Sequence, residues 1–147
     1  MEIERKYRID RIPFDLENYP SCEIEQAYLN TDPVIRVRRQ DDDYYLTYKS
    51  KGFMAREEYN LPLNAEAYHH LLTKADGNIL TKTRYNIPLG NHLTIEMDIF
   101  HGKFEGLILA EVEFSTIEEA ETFTPPEYFG EDVTFSSEYH NSTLSQK

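Results

Sequence analysis

Charged side chains at every second position restrict the fold of this chain more than any other feature of its sequence. In an extended strand, successive side chains point to opposite faces. A strand over residues 1–8 (MEIERKYR) would therefore carry two acids and then two bases on one face. These are Glu2, Glu4, Lys6 and Arg8, whereas Ile3, Arg5 and Tyr7 lie opposite. Taken alone, such a strand could simply expose its polar face to water.

The same alternation recurs in seven later segments, which are separated by turn residues. Strands are predicted at residues 23–30, 34–39, 44–51, 54–63, 78–88, 92–100 and 107–114. Their charged faces, with that of the first strand, collect many acids and bases, mostly as i, i+2 pairs. The acids are Glu2, Glu4, Glu58, Glu96, Asp98, Glu111 and Glu113. The bases are Lys6, Arg8, Arg36, Arg38, Lys49, Arg56, Lys82 and Arg84.

A few short helices are predicted between and after these strands. The first covers residues 64–75, with Asn64 as its N-cap and Gly77 as its C-terminal stop. The second covers residues 115–123 and begins with a capping box. A third short helix is expected near residues 137–144. We interpret His69 and His70 as surface or packing residues of the first helix rather than metal ligands.

These helices need an apolar surface to dock on, which decides the direction of the charged faces. If the helices cover the aliphatic faces of the strands, the charged faces must turn inward. Eight strands suffice to close a barrel with room for a small ligand. We therefore predict one mainly β (α+β) domain over residues 1–147, an eight-stranded antiparallel closed barrel with a polar, charged lumen and a few flanking helices. Cross-strand ion pairs on a wet surface are the alternative, but they explain six charged strands poorly.

Composition narrows the choice of partners. The formal net charge of -12 disfavours a duplex nucleic acid, whereas a small polyanion could still bind where the 15 Lys and Arg residues cluster. No run of about 18 apolar residues is present, so no membrane partner is expected. A single cysteine, Cys22, cannot form an internal disulfide and is typical of the reducing cytoplasm.

The predicted lumen combines two kinds of chemistry. Clustered carboxylates without cysteine favour Mg²⁺ or Mn²⁺ over Zn²⁺. Guanidinium and ammonium groups that face the same space suit phosphate oxygens. Together they are the apparatus of phosphoryl transfer, in which the cation bridges phosphate oxygens and activates water while the bases neutralise developing charge.

The order of these residues resembles the CYTH domain, the triphosphate tunnel metalloenzyme family. Its E-x-E-x-K signature is present at the N-terminus, and further family elements follow in order over nearly the whole chain. They are Glu2, Glu4 and Lys6; residues 26–29 (QAYL); Arg36 and Arg38; Thr47 and Lys49; Lys82 and Arg84; Glu96 and Asp98; Glu111 and Glu113; residues 132–134; and Asn141 with Leu144. Two departures are Arg8, where lysine is common, and Asn60, where the family often has a glutamate.

The resemblance implies an eight-stranded tunnel that binds triphosphate together with Mg²⁺ or Mn²⁺. Phosphate-binding residues would be Lys6, Arg8, Arg36, Arg38, Lys49, Arg56, Lys82 and Arg84. Metal-binding residues would be Glu2, Glu4, Glu58, Asp98, Glu111 and Glu113, with Glu96 a weaker candidate. Catalytic roles would fall to Glu4, Glu111, Glu113 and Lys6.

Family members hydrolyse inorganic, thiamine or nucleoside triphosphates, and some convert ATP to cyclic AMP. This short chain has no obvious extra segment for base recognition, so we expect hydrolysis of inorganic triphosphate to pyrophosphate and phosphate, with slower nucleoside triphosphate hydrolysis. The alternatives are an adenylate cyclase, a thiamine triphosphatase, or a non-catalytic polyphosphate- or nucleotide-binding module.

Overall fold

The computed structural model describes residues 1–147 and contains nine strands, three α-helices and three 3₁₀ helices. The strands are β1 (Glu2–Arg8), β2 (Ser21–Thr31), β3 (Val34–Gln40), β4 (Asp43–Lys49), β5 (Ala55–Arg56), β6 (Glu58–Leu63), β7 (Asp76–Gly90), β8 (Leu93–Phe100) and β9 (Ile108–Glu113). The α-helices are α1 (Ala65–Leu72), α2 (Ile117–Thr122) and α3 (Asn141–Ser145). The 3₁₀ helices span Leu16–Asn18, Gly102–Phe104 and Ser137–Tyr139.

One antiparallel sheet contains all the strands, in the order β5-β1-β9-β8-β7-β2-β3-β4-β6. The two ends of this order, β5 and β6, are consecutive in the chain and separated by Glu57 alone. Arg56 of β5 lies opposite Glu2 of β1, and Glu58 of β6 lies opposite Lys49 of β4. Residues 55–63 therefore join both edges, and the sheet curls into a nearly closed barrel, which confirms the predicted fold class.

The prediction of one strand over residues 54–63 is wrong in its count. At Glu57 the chain stops pairing with one neighbour and starts pairing with the other, so the segment forms two strands. Glu57 N–H donates a hydrogen bond to Ser50 Oγ at 2.9 Å, and Ser50 N–H donates to the carbonyl of Glu57 at 3.0 Å. These bonds satisfy the backbone at the break and turn eight predicted strands into nine.

One apolar cluster lies on the outer face of the barrel, where α2 and the segments beside it cover the strands. Along β8, Ile95 and Met97 are buried in a cluster that also contains Ala120 of α2, while Glu96 and Asp98 alternate with them. A second cluster lies inside one end of the barrel, because Phe100 and Leu109 share the lumen faces of their strands with Asp98, and Val133 and Leu144 of the C-terminal segment pack against it. Because the apolar rows are covered from outside, the charged rows face the lumen, as the alternation predicted.

Helix boundaries follow the capping chemistry. The Asn64 side chain accepts a hydrogen bond from Ala67 N–H at 2.7 Å and starts α1 as predicted. Thr116 Oγ1 accepts from Glu119 N–H at 3.1 Å, and Glu119 Oε1 accepts from Ser115 N–H at 3.3 Å, which confirms the capping box of α2.

The predicted end of α1 is wrong by one turn. The helix ends at Leu72, where the Thr73 hydroxyl donates to the carbonyl of His70 at 2.6 Å. Gly77 is not its stop, because it already lies in β7 with a φ of +73°. There a Cβ atom would collide with the carbonyl oxygen of Ser145, so glycine allows α3 to pack closely on β7. The longest helix has eight residues, and no helix could span a membrane.

Candidate active site

The barrel encloses a strongly polar cavity of about 400 Å³. It is lined by 22 residues, of which only three are hydrophobic. Most of the residues predicted for the site lie on its wall. They are Glu2, Glu4, Lys6, Arg36, Arg38, Lys49, Arg56, Glu58, Lys82, Arg84, Glu96, Glu111 and Glu113. The strand alternation thus brings side chains from all sides of the barrel into one volume.

Arg8 is a predicted site residue that the structure does not bring to the cavity. Its guanidinium lies over the ring of Tyr139, 5.5 Å from the ring centroid, and forms an ion pair of 3.4 Å with Glu131. The side chain is 42% exposed. Although Arg8 has the same strand parity as Lys6, it lies at the end of β1, where the C-terminal segment covers the barrel and offers other partners.

Asp98 also differs from its predicted role as a metal ligand. It is fully buried behind the cavity lining, where Lys82 Nζ lies 2.6 Å from one carboxylate oxygen. Arg84 binds the same carboxylate with two hydrogen bonds of 2.8 and 3.0 Å. Burial alone would raise the pKa of Asp98, but Arg84 and Lys82 outweigh it and lower that pKa. Asp98 therefore holds two cations in place and has no free oxygen facing the cavity.

Four further ion pairs fix most of the remaining lumen charges. Lys49 Nζ contacts Glu2 at 3.0 Å and Glu58 at 3.3 Å. These contacts link β4 to β1 and to β6, across the place where the barrel closes. Lys6 Nζ lies 3.7 Å from Glu111, and Arg84 lies 3.1 Å from Glu96. Lys6 and Arg84 overcome the effect of burial on Glu111 and hold its pKa well below the usual value.

Two lumen carboxylates, Glu4 and Glu113, form no ion pair. They are directly opposite each other in the register of β1 and β9. Burial, followed by repulsion from Glu111 and Glu2, raises the pKa of Glu4 well above its usual value. Burial and the charges of Glu2 and Glu96 also raise the pKa of Glu113. For both carboxylates, burial and the neighbouring acids therefore outweigh the attraction of nearby lysines, chiefly Lys49.

Two lumen cations, Arg36 and Arg38, form no ion pair either. Arg36 donates a hydrogen bond of 3.2 Å to Thr47 Oγ1, and its buried Nε has no partner. Arg38 Nε donates a hydrogen bond of 2.8 Å to Gln26 Oε1. Burial and repulsion from Arg36 and Arg84 lower the pKa of Arg38 to about 9, so it still carries its charge at neutral pH. Arg36 and Arg38 are therefore the lumen cations that have no carboxylate partner.

The unpaired acids and unpaired bases lie on opposite walls. In the closed sheet, β9 and β3 are separated by four strand-to-strand steps in one direction, through β8, β7 and β2. The other direction, through β1, the joined β5–β6 segment and β4, also takes four steps. Glu113 therefore lies across the lumen from Arg36 and Arg38, and a ligand in the cavity meets an acidic wall and a basic wall at once.

The acidic wall fits a hard divalent cation. No three carboxylate or imidazole groups converge on one point, so the protein has no ready-made cage. Mg²⁺ and similar ions, however, are commonly held by one or two carboxylates together with water and substrate phosphates. Glu4 and Glu113, which are adjacent in the sheet and form no ion pair, are the two carboxylates that would gain most from such an ion.

Sequence reasoning gave no role in the site to several polar residues that line or adjoin the cavity. His140 and Asn141 enter it from the C-terminal segment, and Asn141 Oδ1 accepts hydrogen bonds from Lys82 Nζ (3.0 Å) and Gln26 Nε2 (3.2 Å). Burial and the nearby Lys6 and Arg56 lower the pKa of His140 to about 4, so its imidazole is neutral at neutral pH. Gln26 shares the parity of the buried Tyr28 in β2 and could have been found from that alternation.

An antiparallel barrel with an ion-lined lumen defines a class of proteins, the β-tunnels that enclose a small charged ligand inside the sheet. The model of the CYTH domain matches residues 1–146, and the chain belongs to this family of triphosphate tunnel metalloenzymes. Membership implies dependence on a divalent metal.

The chain is similar to proteins with a named activity. It is 36% identical to an inorganic triphosphatase from Nitrosomonas europaea, with 98% of this chain and 96% of that protein covered. It is 35% identical to an inorganic triphosphatase from Acetivibrio thermocellus, with 80% and 74% covered.

Solved structures share the fold. A crystal structure of an inorganic triphosphatase, 33% identical, superposes with a TM-score of 0.73 and covers 100% of this chain and 95% of its own. A Hippeastrum protein described as having a dominant triphosphatase activity gives a TM-score of 0.64 at 15% identity, covering 82% of this chain and 83% of its own. At that identity, only the fold is comparable.

Proposed function

We propose that this protein hydrolyses inorganic triphosphate to pyrophosphate and phosphate with the help of Mg²⁺ or Mn²⁺. The observation that carries the proposal is the pair of uncompensated walls, Glu4 with Glu113 against Arg36 with Arg38, inside one small cavity. A short polyphosphate with its cation matches both walls, because it offers anionic oxygens to one and a divalent charge to the other. The naming of two relatives as inorganic triphosphatases supports the same substrate.

The basic residues would bind and orient the phosphate chain. Arg36 and Arg38 line the cavity without a carboxylate partner, and guanidinium groups can contact phosphate oxygens with two hydrogen bonds. Lys82 and Arg84 are held rigidly by Asp98, so their remaining donors are already aimed into the cavity. Preorganised charge of this kind stabilises the negative charge that develops as the phosphoryl group is transferred.

The acidic residues would hold the cation and handle the water. The bound cation supplies charge neutralisation on phosphate oxygens and acidifies a nearby water. Glu4 and Glu113 are proposed as its ligands, because no lysine or arginine already occupies them. Glu111, which Lys6 keeps ionised, suits orienting a water molecule through its carboxylate. Glu2 and Glu58 are tied to Lys49 and are weaker metal ligands in this proposal.

A second activity, slower hydrolysis of nucleoside triphosphates, is favoured by a second cavity beside the tunnel. It has a volume of about 470 Å³ and shares Val34, Arg56, His140 and Ser142 with the tunnel wall. The rings of Phe53 and His140 lie 5.4 Å apart at this junction and offer an aromatic surface to a base.

Action in the cytoplasm is also part of the proposal, supported by the single free Cys22.

A substrate panel tests the proposal. The purified protein would be incubated with Mg²⁺ or Mn²⁺ and with tripolyphosphate, thiamine triphosphate or ATP, and the products identified by ³¹P NMR. We expect pyrophosphate and phosphate from tripolyphosphate, slower phosphate release from ATP, and no release by a Glu4→Gln variant. Cyclic AMP from ATP without phosphate from tripolyphosphate would contradict the proposal and indicate a cyclase. Tight binding of tripolyphosphate without turnover would indicate a binding module.

A further inference from the structure

The lumen cations differ in what they contact. Five of them contact a carboxylate, namely Lys6, Lys49, Arg56, Lys82 and Arg84. Arg36 and Arg38 contact only neutral side chains, since Arg36 donates to the Thr47 hydroxyl and Arg38 to the Gln26 amide. Thr47 and Gln26 are fully buried, on the strands that flank β3 on either side.

Each neutral contact is itself held in one orientation. Thr47 Oγ1 accepts from Arg36, so its proton points to Asn60 Oδ1, 2.6 Å away. The amide of Asn60 donates in turn to Glu58 Oε1 at 3.3 Å. Because Arg36 can only donate and an ionised Glu58 can only accept, the direction of this chain of hydrogen bonds is determined.

Gln26 is fixed by the same reasoning. Its Oε1 must face Arg38, which has no acceptor, and its Nε2 donates to Tyr28 Oη at 3.1 Å and to Asn141 Oδ1 at 3.2 Å. Both ends of the amide therefore have partners, and the guanidinium of Arg38 is oriented by a side chain that carries no charge.

We propose that Gln26, Thr47 and Asn60 are positioning residues that orient Arg36 and Arg38 without neutralising them, so that both cations keep their charge for the phosphate oxygens of the substrate. A carboxylate in direct contact with either guanidinium, at position 26 or 47, would attract it, and phosphate would have to displace that carboxylate. A neutral acceptor sets the geometry and leaves the electrostatic interaction to the ligand. This inference rests on the proposed function, because it assigns the two arginines to phosphate.

The test replaces each amide by the carboxylate of the same shape. Gln26→Glu puts a charge directly on Arg38, and Asn60→Asp puts one behind Thr47 on the side of Arg36. We expect each to raise KM for tripolyphosphate at least about tenfold and to leave kcat within about threefold. Binding of tripolyphosphate without metal, measured by titration calorimetry, should weaken by the same factor. Asn60 is more exposed than the buried Gln26, so Asn60→Asp carries the test if Gln26→Glu does not fold.

Two controls separate positioning from general electrostatics and from structure. Asn91→Asp adds the same charge at the exposed turn between β7 and β8, and should leave KM unchanged. Thr47→Val removes the hydroxyl that orients Arg36 and should raise KM, while Thr47→Ser should restore it, which a loss of packing alone would not explain.

The outcomes distinguish this inference from the proposed function. Wild-type KM and wild-type affinity in both Gln26→Glu and Asn60→Asp would overturn the inference, whatever the protein hydrolyses. If the wild-type protein binds tripolyphosphate but does not hydrolyse it, and both carboxylate variants weaken that binding, the proposed function fails and the positioning role stands. If the wild-type protein neither binds nor hydrolyses tripolyphosphate, both fail.

Discussion

At the scale of single residues, the environment of each carboxylate decides its contribution to stability. The pKa of the unpaired Glu4 is raised above its usual 4.5, so between 4.5 and the raised value the native state binds more protons than the unfolded state. The free energy of unfolding of the metal-free protein therefore falls as pH rises through this window. Glu111 has a depressed pKa, so its contribution is present above 4.5 and is lost as pH falls through the lower native value.

Glu4→Gln and Glu111→Gln are consequently expected to have opposite effects on stability. In EDTA at neutral pH, Glu4→Gln should stabilise the protein by about 1–3 kcal/mol, because it removes a buried charge without a partner. The gain should shrink as the pH falls toward about 5. Glu111→Gln should destabilise by a similar amount, because it leaves the charge of Lys6 uncompensated. Thermal unfolding followed by circular dichroism between about pH 5 and about pH 8 measures both, and destabilisation by Glu4→Gln would contradict the unpaired state of Glu4.

Arg38 and Arg8 form a matched pair for the phosphate-binding wall. Both are strand arginines from the same predicted set, but only Arg38 lies on the cavity. Arg38→Ala should raise KM for tripolyphosphate by about tenfold to a hundredfold, because it removes charged hydrogen bonds of about 1.5–3 kcal/mol. Arg8→Ala should leave both kcat and KM within about twofold. Steady-state kinetics measure KM and kcat of both variants. Equal effects of the two substitutions would mean that Arg38, on the cavity wall, contributes no more to substrate binding than Arg8, which lies away from the cavity.

The alternation of side chains predicted most of the cavity wall, because parity along a strand is a local property. The partners of a side chain come from distant parts of the chain, and the sequence alone did not predict them. Arg8 has the right parity but meets Glu131, which is more than a hundred residues away. Asp98 has the right parity, but its carboxylate forms ion pairs with Lys82 and Arg84 and does not line the cavity. His140 comes from a tail whose position depends on tertiary packing.

At the scale of elements, the short connection between β4 and β5 determines whether the barrel closes. Gly52 in this connection has a φ of +136°, a conformation that residues with a side chain rarely adopt. A Cβ atom there would also collide with the carbonyl oxygen of Ala55, the first residue of β5. A glycine between two predicted strands is typical of a turn, but the collision that makes glycine necessary depends on where β5 docks.

Gly52→Ala should therefore destabilise the protein more than an alanine substitution at a glycine where the positive φ causes strain but the new Cβ atom meets no other atom. Gly90, with a φ of +92° and no atom within 4 Å of the position of a Cβ, is the control. We expect about 1 kcal/mol for Gly90→Ala and about 3 kcal/mol for Gly52→Ala, since the collision adds to the backbone strain. Urea unfolding measures the difference. Equal losses would show that β5 can move away from Gly52 at little cost.

The break at Glu57 shows why strand counts are harder to predict than strand faces. The sequence of residues 54–63 alternates without interruption, and a single strand is the natural interpretation. The split arises because the two edges of the barrel must both be reached, β1 by Arg56 and β4 by Glu58. Ring closure is a global constraint, and the hydrogen bonds between Glu57 and Ser50 are its only local sign.

At the scale of the whole molecule, the negative net charge of the protein contrasts with the positive charge of one wall of its lumen. The chain carries a formal net charge of -12, yet the lumen holds two cations, Arg36 and Arg38, that donate hydrogen bonds to neutral side chains and form no ion pair. The exterior therefore repels polyanions at long range, while the basic wall attracts them at short range. A ligand that reaches the lumen relieves the repulsion between Arg36 and Arg38, so binding should stabilise the whole barrel.

Tripolyphosphate alone, in EDTA, should raise the Tm of the wild-type protein. A ligand at about a hundred times its Kd adds about 2.7 kcal/mol to the free energy of unfolding, which for a chain of this size corresponds to a shift of about 5–10 °C. Sulfate at equal ionic strength should shift the Tm less, because it cannot reach several lumen cations at once. In an Arg36→Ala, Arg38→Ala double variant the shift should largely disappear, because the uncompensated charges that the ligand neutralises are gone. A shift that survives in the double variant would mean that cations other than Arg36 and Arg38 bind the anion, and would contradict the role given to the charge of this basic wall.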